Sequence, residues 1–177
     1  MLTKELVHFA VDDIYAHYGK IGMESRVALL QKYQDNAPSD DERFWAHQSL
    51  VNSLSCLEKN QETTEEHTRL YRWTCKNMSD KHVLEVMSNL NAANCWKDDG
   101  RIDEWIQLYD EASERLDNSK VSDYSRCDFL QIGAEVLRHN ERFDEALLGL
   151  EKLEQSNKDQ DWEHYFRFWL LSEPIRS

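Results

Sequence analysis

The stretch 127–155, near the end of the chain, constrains the fold more than any other. Two apolar stripes at helical spacing are separated there by a short polar segment over 138–141. Small residues at Gly133, Ala134 and Ala146 would allow the two helices to approach closely. The pattern therefore predicts an antiparallel helical hairpin. Its apolar positions are Leu130, Gly133, Ala134 and Leu137, followed by Phe143, Ala146, Leu147, Leu150 and Leu153.

Weaker copies of this hairpin precede it. The segment 49–52 resembles 88–91, and the turn at 100–105 resembles the turn at 142–146. The implied period is 38–41 residues, which we interpret as two helices lengthened by about one turn of ~3.6 residues. We predict hairpins over about 3–35, 40–78, 80–117 and 123–156, with a C-terminal capping helix over about 159–171.

The order of small and large residues resembles the tetratricopeptide repeat, a helix–turn–helix unit of about 34 residues. The customary proline after the second helix is absent, and Trp105 stands where a small residue is expected. The resemblance implies an all-α protein in which residues 1–177 form a single domain, a right-handed superhelix of about four hairpins. The residues that carry it are Leu130, Gly133, Ala134, Leu137, Phe143, Ala146 and Leu150, with the phrase 142–146 opening the second helix.

Helix start signals divide the chain further. Ser39 with Glu42, and Thr63 with Glu66, match the capping box at the beginning of a helix. These signals predict helices from about 40 and 63, and a single uninterrupted helix over about 80–98 that is capped by Ser79.

Composition excludes several function classes. Five glycines and two prolines in 177 residues favour helix, and we find no alternating strand pattern. A net charge of −13 argues against nucleic acid or an anionic membrane as the partner. The beginning of the chain matches neither a signal peptide nor a membrane span.

The four cysteines never form a C-x-x-C pair, so we expect reduced thiols and a cytoplasmic protein. Cys56, Cys95 and Cys127 lie beside large apolar residues at helical spacing and are expected to be buried.

Catalytic and metal-binding motifs are missing from the sequence. The seven histidines form no H-E-x-x-H pair, and no glycine-rich phosphate loop or G-x-S-x-G is present. The paired acids are typical of solvated helix faces and helix starts. We therefore expect no cofactor, no metal site and no enzymatic activity, with an enzyme of unrecognised site as a remaining alternative.

The resemblance also implies a ligand site. In stacked helical hairpins, the first helix of each pair lines a concave face. Amide side chains on that face could bind the backbone of an extended peptide or protein segment, or could only bridge neighbouring helices. The predicted groove residues are Gln48, Asn52, Ser55, Met87, Asn91, Asn94, Lys97, Gln131, Glu135 and Arg138.

The last predicted helix is unusually aromatic. Trp162, Tyr165, Phe166 and Trp169 form one stripe, although a terminal helix should have a polar outer face. One interpretation is that the stripe packs against the preceding hairpin. The alternative is a self-associating scaffold, a homodimer in which this stripe forms the contact.

Overall fold

The computed structural model describes residues 7–8, 22–118 and 123–156. The described residues are helical with short connections, and no β-strand occurs among them, which confirms the all-α prediction. The chain divides into two compact units, Met1–Lys120 (unit 1) and Val121–Ser177 (unit 2).

The helices of the described residues have the following bounds. Of the first predicted hairpin only 7–8 and 22–35 are described, and the predicted capping helix over 159–171 lies outside the described residues. Unit 1 contains α1 (22–34), α2 (Asp40–Cys56), α3 (Asn60–Asn77), α4 (Asp80–Met87), α5 (Leu90–Asp98) and α6 (Ile102–Asn118), and unit 2 contains α7 (Asp123–His139) and α8 (Phe143–Ser156).

The uninterrupted helix predicted over 80–98 is wrong, because the structure breaks it between Met87 and Leu90. Asn89 becomes the N-cap of α5, and its side-chain oxygen accepts a hydrogen bond from the amide of Ala92 at 3.1 Å. The Ser88 hydroxyl donates back to the carbonyl of Leu84 at 2.9 Å. Both side chains bond the local backbone, which favours a cap over a helix interior.

The connections α2–α3, α5–α6 and α7–α8 have the same turn. Each contains one residue with left-handed backbone, Glu58 (φ 57°), Gly100 (φ 71°) and Glu141 (φ 62°), at intervals of 42 and 41 residues. The next amide then bonds a carbonyl five residues back, as in the Schellman motif. These bonds join Lys59 to Leu54 (3.1 Å), Arg101 to Trp96 (2.9 Å) and Arg142 to Leu137 (3.0 Å).

An ion pair follows each turn at the same position. Lys59, Arg101 and Arg142 each pair with a glutamate three residues later. Three hairpins therefore repeat in local structure as well as in sequence. The predicted match between the turns at Gly100 and Glu141 is confirmed. The match of 49–52 with 88–91 is three residues out of register with the turns, which pair Asn52 with Asn94.

The second helix of the α2–α3 hairpin begins earlier than predicted. It starts at Asn60, so Thr63 lies inside α3, where its hydroxyl donates to the carbonyl of Lys59 at 2.8 Å. The capping box predicted from Thr63 and Glu66 therefore does not form. By contrast, Ser39 caps α2 as predicted, with its hydroxyl accepting from the amide of Glu42 at 3.2 Å.

The core of unit 1 begins where α1 packs on α2. Glu42 is buried there and accepts hydrogen bonds from the hydroxyl of Tyr33 (3.1 Å) and from Nε2 of His8 (3.2 Å). The His8 ring also stacks on Trp45. The apolar cluster around this contact consists of Val7, Met23, Val27, Leu30, Tyr33, Ala46, Leu50, Leu54 and Leu57.

Trp105 is fully buried in α6 and stacks on Tyr109 with ring centroids 5.3 Å apart. The same position of the other two hairpins holds Thr63 and Ala146, which are also buried. The α5–α6 hairpin therefore accommodates a large side chain at a position where the other two hairpins have a small one.

Unit 2 is built on close helix packing. A Cβ placed on Gly149 of α8 would meet the Cβ of Ala134 on α7 at 3.9 Å, which is an ordinary contact distance. Ala146, Phe129 and Leu130 are buried in the same unit. Ala134, one of the small residues that predicted a close hairpin, thus lies at the contact with α8.

Candidate functional site: an amide surface on α2 and α5

The helices α2 and α5 run side by side in the same direction. Asn89, at the start of α5, donates from its side-chain nitrogen to the side-chain oxygen of Asn52 at 2.8 Å. Further along both helices, the thiol of Cys95 donates to the hydroxyl of Ser55 at 3.4 Å. Because residue numbers increase together along the two helices, α2 and α5 are parallel neighbours. The contacts of α3 with α5 pair increasing with decreasing residue numbers, so α3 runs antiparallel to α5.

The outer faces of these two helices carry a row of amide side chains. Asn52, Asn91 and Asn94 are exposed, while Gln48 and Asn89 are half-buried. We call these five residues the amide surface. A primary amide offers both donors and an acceptor, which suits it to the alternating N–H and C=O groups of an extended backbone. The bond between Asn89 and Asn52 fixes two of the five side chains before any ligand binds.

The predicted groove residues of unit 1 are not all on this surface. Met87 is fully buried on the apolar side of α4, together with Val83, Leu84 and Val86. It therefore cannot line a groove, and its inclusion followed from the uninterrupted helix that the structure breaks. Gln48 and Ser55 are half-buried, and Asn52, Asn91, Asn94 and Lys97 are exposed.

Three further predicted groove residues lie in unit 2. Gln131, Glu135 and Arg138 are all half-buried on α7 and share one face by their spacing. The aromatic residues predicted for self-association, Trp162, Tyr165, Phe166 and Trp169, lie outside the described residues.

Asn89 is the member of the amide surface that the sequence prediction missed. It was placed inside a helix, whereas the structure uses it both as the N-cap of α5 and as the partner of Asn52. An asparagine after a serine within a predicted helix is itself a signal for a cap, because both side chains compete with helical backbone bonds.

A buried histidine fixes the rotation of α5 beneath the amide surface. His67 of α3 is fully buried, and its Nδ1 accepts a hydrogen bond from the indole N–H of Trp96 at 3.0 Å. Its Nε2 therefore carries the proton and donates to the carbonyl of Val86 at 2.9 Å. Trp96 and Asn94 are two residues apart, about 200° around the helix. Because His67 holds Trp96 in the interior, Asn94 is directed toward solvent.

The same histidine completes the end of α4. Val86 is in the last turn of that helix, where carbonyl groups have no partner within the helix. His67 supplies the missing donor from another helix. Burial lowers the pKa of His67 to about 4, so the ring is neutral near pH 7, as both of its hydrogen bonds require.

The turn before α6 is bound to α3 as well. Thr64 is fully buried, its hydroxyl lies 3.0 Å from a carboxylate oxygen of Asp99, and it accepts from Nη1 of Arg101 at 3.0 Å. The guanidinium of Arg101 also lies over the ring of Trp96. Contacts at both Thr64 and His67 hold α5 in place against α3.

A second buried polar pair joins α2 and α3. Nδ1 of His47 lies 3.4 Å from Oε1 of Glu66, and Arg69 donates to the other oxygen of Glu66 at 2.7 Å. Burial, followed by the positive charges of Arg69 and Arg43, lowers the pKa of His47 to about 4. Burial raises the pKa of Glu66, and Arg69 partly opposes this. Because both side chains are more than nine-tenths buried, the pair is not open to a substrate.

Cysteine burial differs from the prediction at Cys56 and Cys127. None of the four cysteines forms a disulfide; Cys95 is buried as predicted, Cys75 and Cys127 are half-buried, and Cys56 is exposed. Cys56 follows Asn52 by one turn of α2, so it borders the amide surface instead of the core.

The described residues contain no group of three or more histidine, cysteine or acidic side chains that could hold a metal ion. None of the helices in this part of the chain has both the length and the apolar character needed to cross a bilayer. Among known proteins, no family model, no curated protein and no solved structure matches this chain.

Proposed function

We propose that this chain is a tetratricopeptide-like helical repeat protein that binds an extended segment of another protein along the amide surface. The observation that carries the proposal is the exposed row of Asn52, Asn91 and Asn94 on two parallel, neighbouring helices. This row combines hydrogen-bonding capacity for a peptide backbone with a position that is open to solvent.

The repeat part of the proposal is supported by the three equivalent turns. It is also supported by the packing of α5, which contacts α2, α3 and α6 within unit 1. A first helix that contacts the previous hairpin and its own partner is the arrangement from which a superhelix grows. We extend the same arrangement, in this proposal, to the right-handed superhelix that the resemblance implies.

The proposed mechanism is passive. The hydrogen bonds of Asn89, His67 and Thr64 order the helices before binding, so little conformational entropy is lost when a ligand arrives. Specificity comes from matching the amides to the ligand backbone, and no chemical step is involved. Four cysteines without a disulfide are compatible with the reducing cytoplasm, where we expect this binding to take place.

The test uses a random peptide display library selected on the immobilised full chain. Peptides that are enriched are then titrated against the wild type and the variant Asn91→Ala/Asn94→Ala by fluorescence anisotropy. Loss of two hydrogen bonds of about 1 kcal/mol each should raise the dissociation constant roughly tenfold to thirtyfold.

A matched control removes two exposed amides elsewhere, in the variant Gln61→Ala/Asn77→Ala on α3. Its affinity for the same peptides should equal that of the wild type. Equal affinity of all three proteins would show that the ligand binds away from the amide surface and would overturn the proposal.

A further inference from the structure

An apolar face of α8 is exposed to solvent. Phe143 is 60 % exposed, Leu147 57 % and Leu148 56 %, and these three are the exposed large hydrophobic residues among those the structure describes. Phe143 and Leu147 are four residues apart and Leu148 is adjacent, so they form one patch on the first two turns of the helix. We call these three residues the α8 patch.

The other two hairpins bury the same position. Counted from the left-handed residue of each turn, Leu147 corresponds to Ile106 of α6 and Thr64 of α3. Ile106 is 2 % exposed and Thr64 0 %. This position is buried in two copies of the repeat and exposed in the third, so α8 offers a surface on which a further element can pack.

The contacts of Thr64 show which segment buries this position in the α2–α3 hairpin. Its contacts are Asp99 and Arg101, which belong to the turn of the hairpin that follows along the chain. In the α2–α3 hairpin, therefore, this position of the second helix is covered by a segment that comes later in sequence. For α8 the next segment is 157–177.

That segment has the composition and the length required. Its residues Trp162, Tyr165, Phe166 and Trp169 recur at the spacing of one helical stripe. The α8 patch begins 13 residues before Ser156, so a helix that returns along α8 must span about 20 Å, which about 13 residues provide. The stretch 159–171 has that length and leaves residues 157–158 for the connection.

We propose that residues 159–171 pack, from the same chain, on the α8 patch and bury it with their aromatic stripe. A second copy of the chain is the competing occupant. A short tether gives the segment an effective concentration on the order of millimolar next to its own α8, above any concentration at which a second copy would normally be present. The tethered contact therefore prevails over an intermolecular one.

The experiment is hydrogen exchange of the full chain, measured by mass spectrometry on the wild type, on Leu147→Gln and on the matched control Glu145→Gln. Both substitutions introduce glutamine at a position of α8 that is exposed in the structure, and Glu145 lies about 160° around the helix from Leu147. Amides in 159–171 should exchange at least tenfold faster in Leu147→Gln than in the wild type, and at the wild-type rate in Glu145→Gln.

Three outcomes would overturn the proposal. One is equally fast, unprotected exchange of 159–171 in all three proteins. Another is protection in the wild type that Leu147→Gln does not change. The third is protection that rises with protein concentration over a hundredfold range, because this would assign the α8 patch to a second copy. Exchange of α7 in each variant verifies that the hairpin itself remains folded.

Discussion

The contact between α3 and α5, which joins two hairpins, and the contact between α7 and α8, which lies within one hairpin, are built from different chemistry. The first is polar and buried, and it depends on His67 and Thr64 hydrogen-bonding to groups of α4, α5 and the α5–α6 turn. The second relies on small residues, with Gly149 lying against Ala134. The comparison teaches that the chemistry of a helix contact decides how sensitive that contact is to substitution and to pH.

The largest effect is expected from His67→Ala. The change leaves the indole N–H of Trp96 and the carbonyl of Val86 without partners and opens a cavity, which together should lower the free energy of unfolding by about 3 kcal/mol. Urea denaturation followed by circular dichroism measures it. The control His139→Ala, at an exposed position of α7, should change the value by less than about 0.5 kcal/mol. A similar loss in both variants would mean that the buried hydrogen bonds of His67 contribute no more than an exposed histidine does.

The next effect is a dependence on pH that originates in unit 1. The pKa values of His67 and His47 are lowered from 6.5 to about 4, so between these values the unfolded chain binds protons that the folded chain does not. Stability is therefore complete above about pH 6.5 and declines as the pH falls toward 4, by roughly 2 kcal/mol per histidine between pH 7 and 5. The raised pKa of Glu66 works in the opposite direction and reduces the total.

The variant His67→Gln isolates one histidine in this pH dependence. Urea denaturation at pH 7 and pH 5 should show a smaller decline for His67→Gln than for the wild type, because one of the two titrating groups is gone. Equal declines in the two proteins would mean that His67 is not buried in its neutral form.

The smallest effect is expected in unit 2 and has the opposite sign. In Gly149→Ala the added methyl group meets Ala134 at an ordinary distance, and alanine favours the helix over glycine by up to about 1 kcal/mol. The melting temperature should therefore rise by a few degrees. A decrease would show that the α7–α8 contact is closer than its geometry indicates and would weaken the contrast with unit 1.

Local patterns were sufficient for most of the fold. The apolar stripes of 127–155 predicted α7, α8 and the turn between them, and Ser39 predicted the start of α2. The break at Asn89 has a local signal in the pair Ser88 and Asn89, which the prediction missed. The contact of His67 with the carbonyl of Val86, which completes the end of α4, comes from another helix and has no local signal. The start of α3 was missed because a threonine followed three residues later by a glutamate matches a capping box, and the same pair also occurs inside a helix, as Thr63 and Glu66 do here.

The candidate site was predictable only in outline. Asn52, Asn91 and Asn94 were predicted from the resemblance to the tetratricopeptide repeat, and all three are exposed. The parallel pairing of α2 and α5, the role of Asn89 and the burial of Met87 required the tertiary structure. Glu58 and Glu141 illustrate the same limit, because nothing in their side chains marks a left-handed backbone and glycine stands at only one of the three turns.

The exposure of Cys56 has a practical consequence. All four cysteines lie in the described part of the chain, and Cys56 is the one that is exposed. A maleimide dye used at limiting stoichiometry should react there first, one helical turn from Asn52, without any engineered substitution. The natural sequence thus provides an attachment point for an environment-sensitive fluorophore, whose emission would change when a peptide settles nearby.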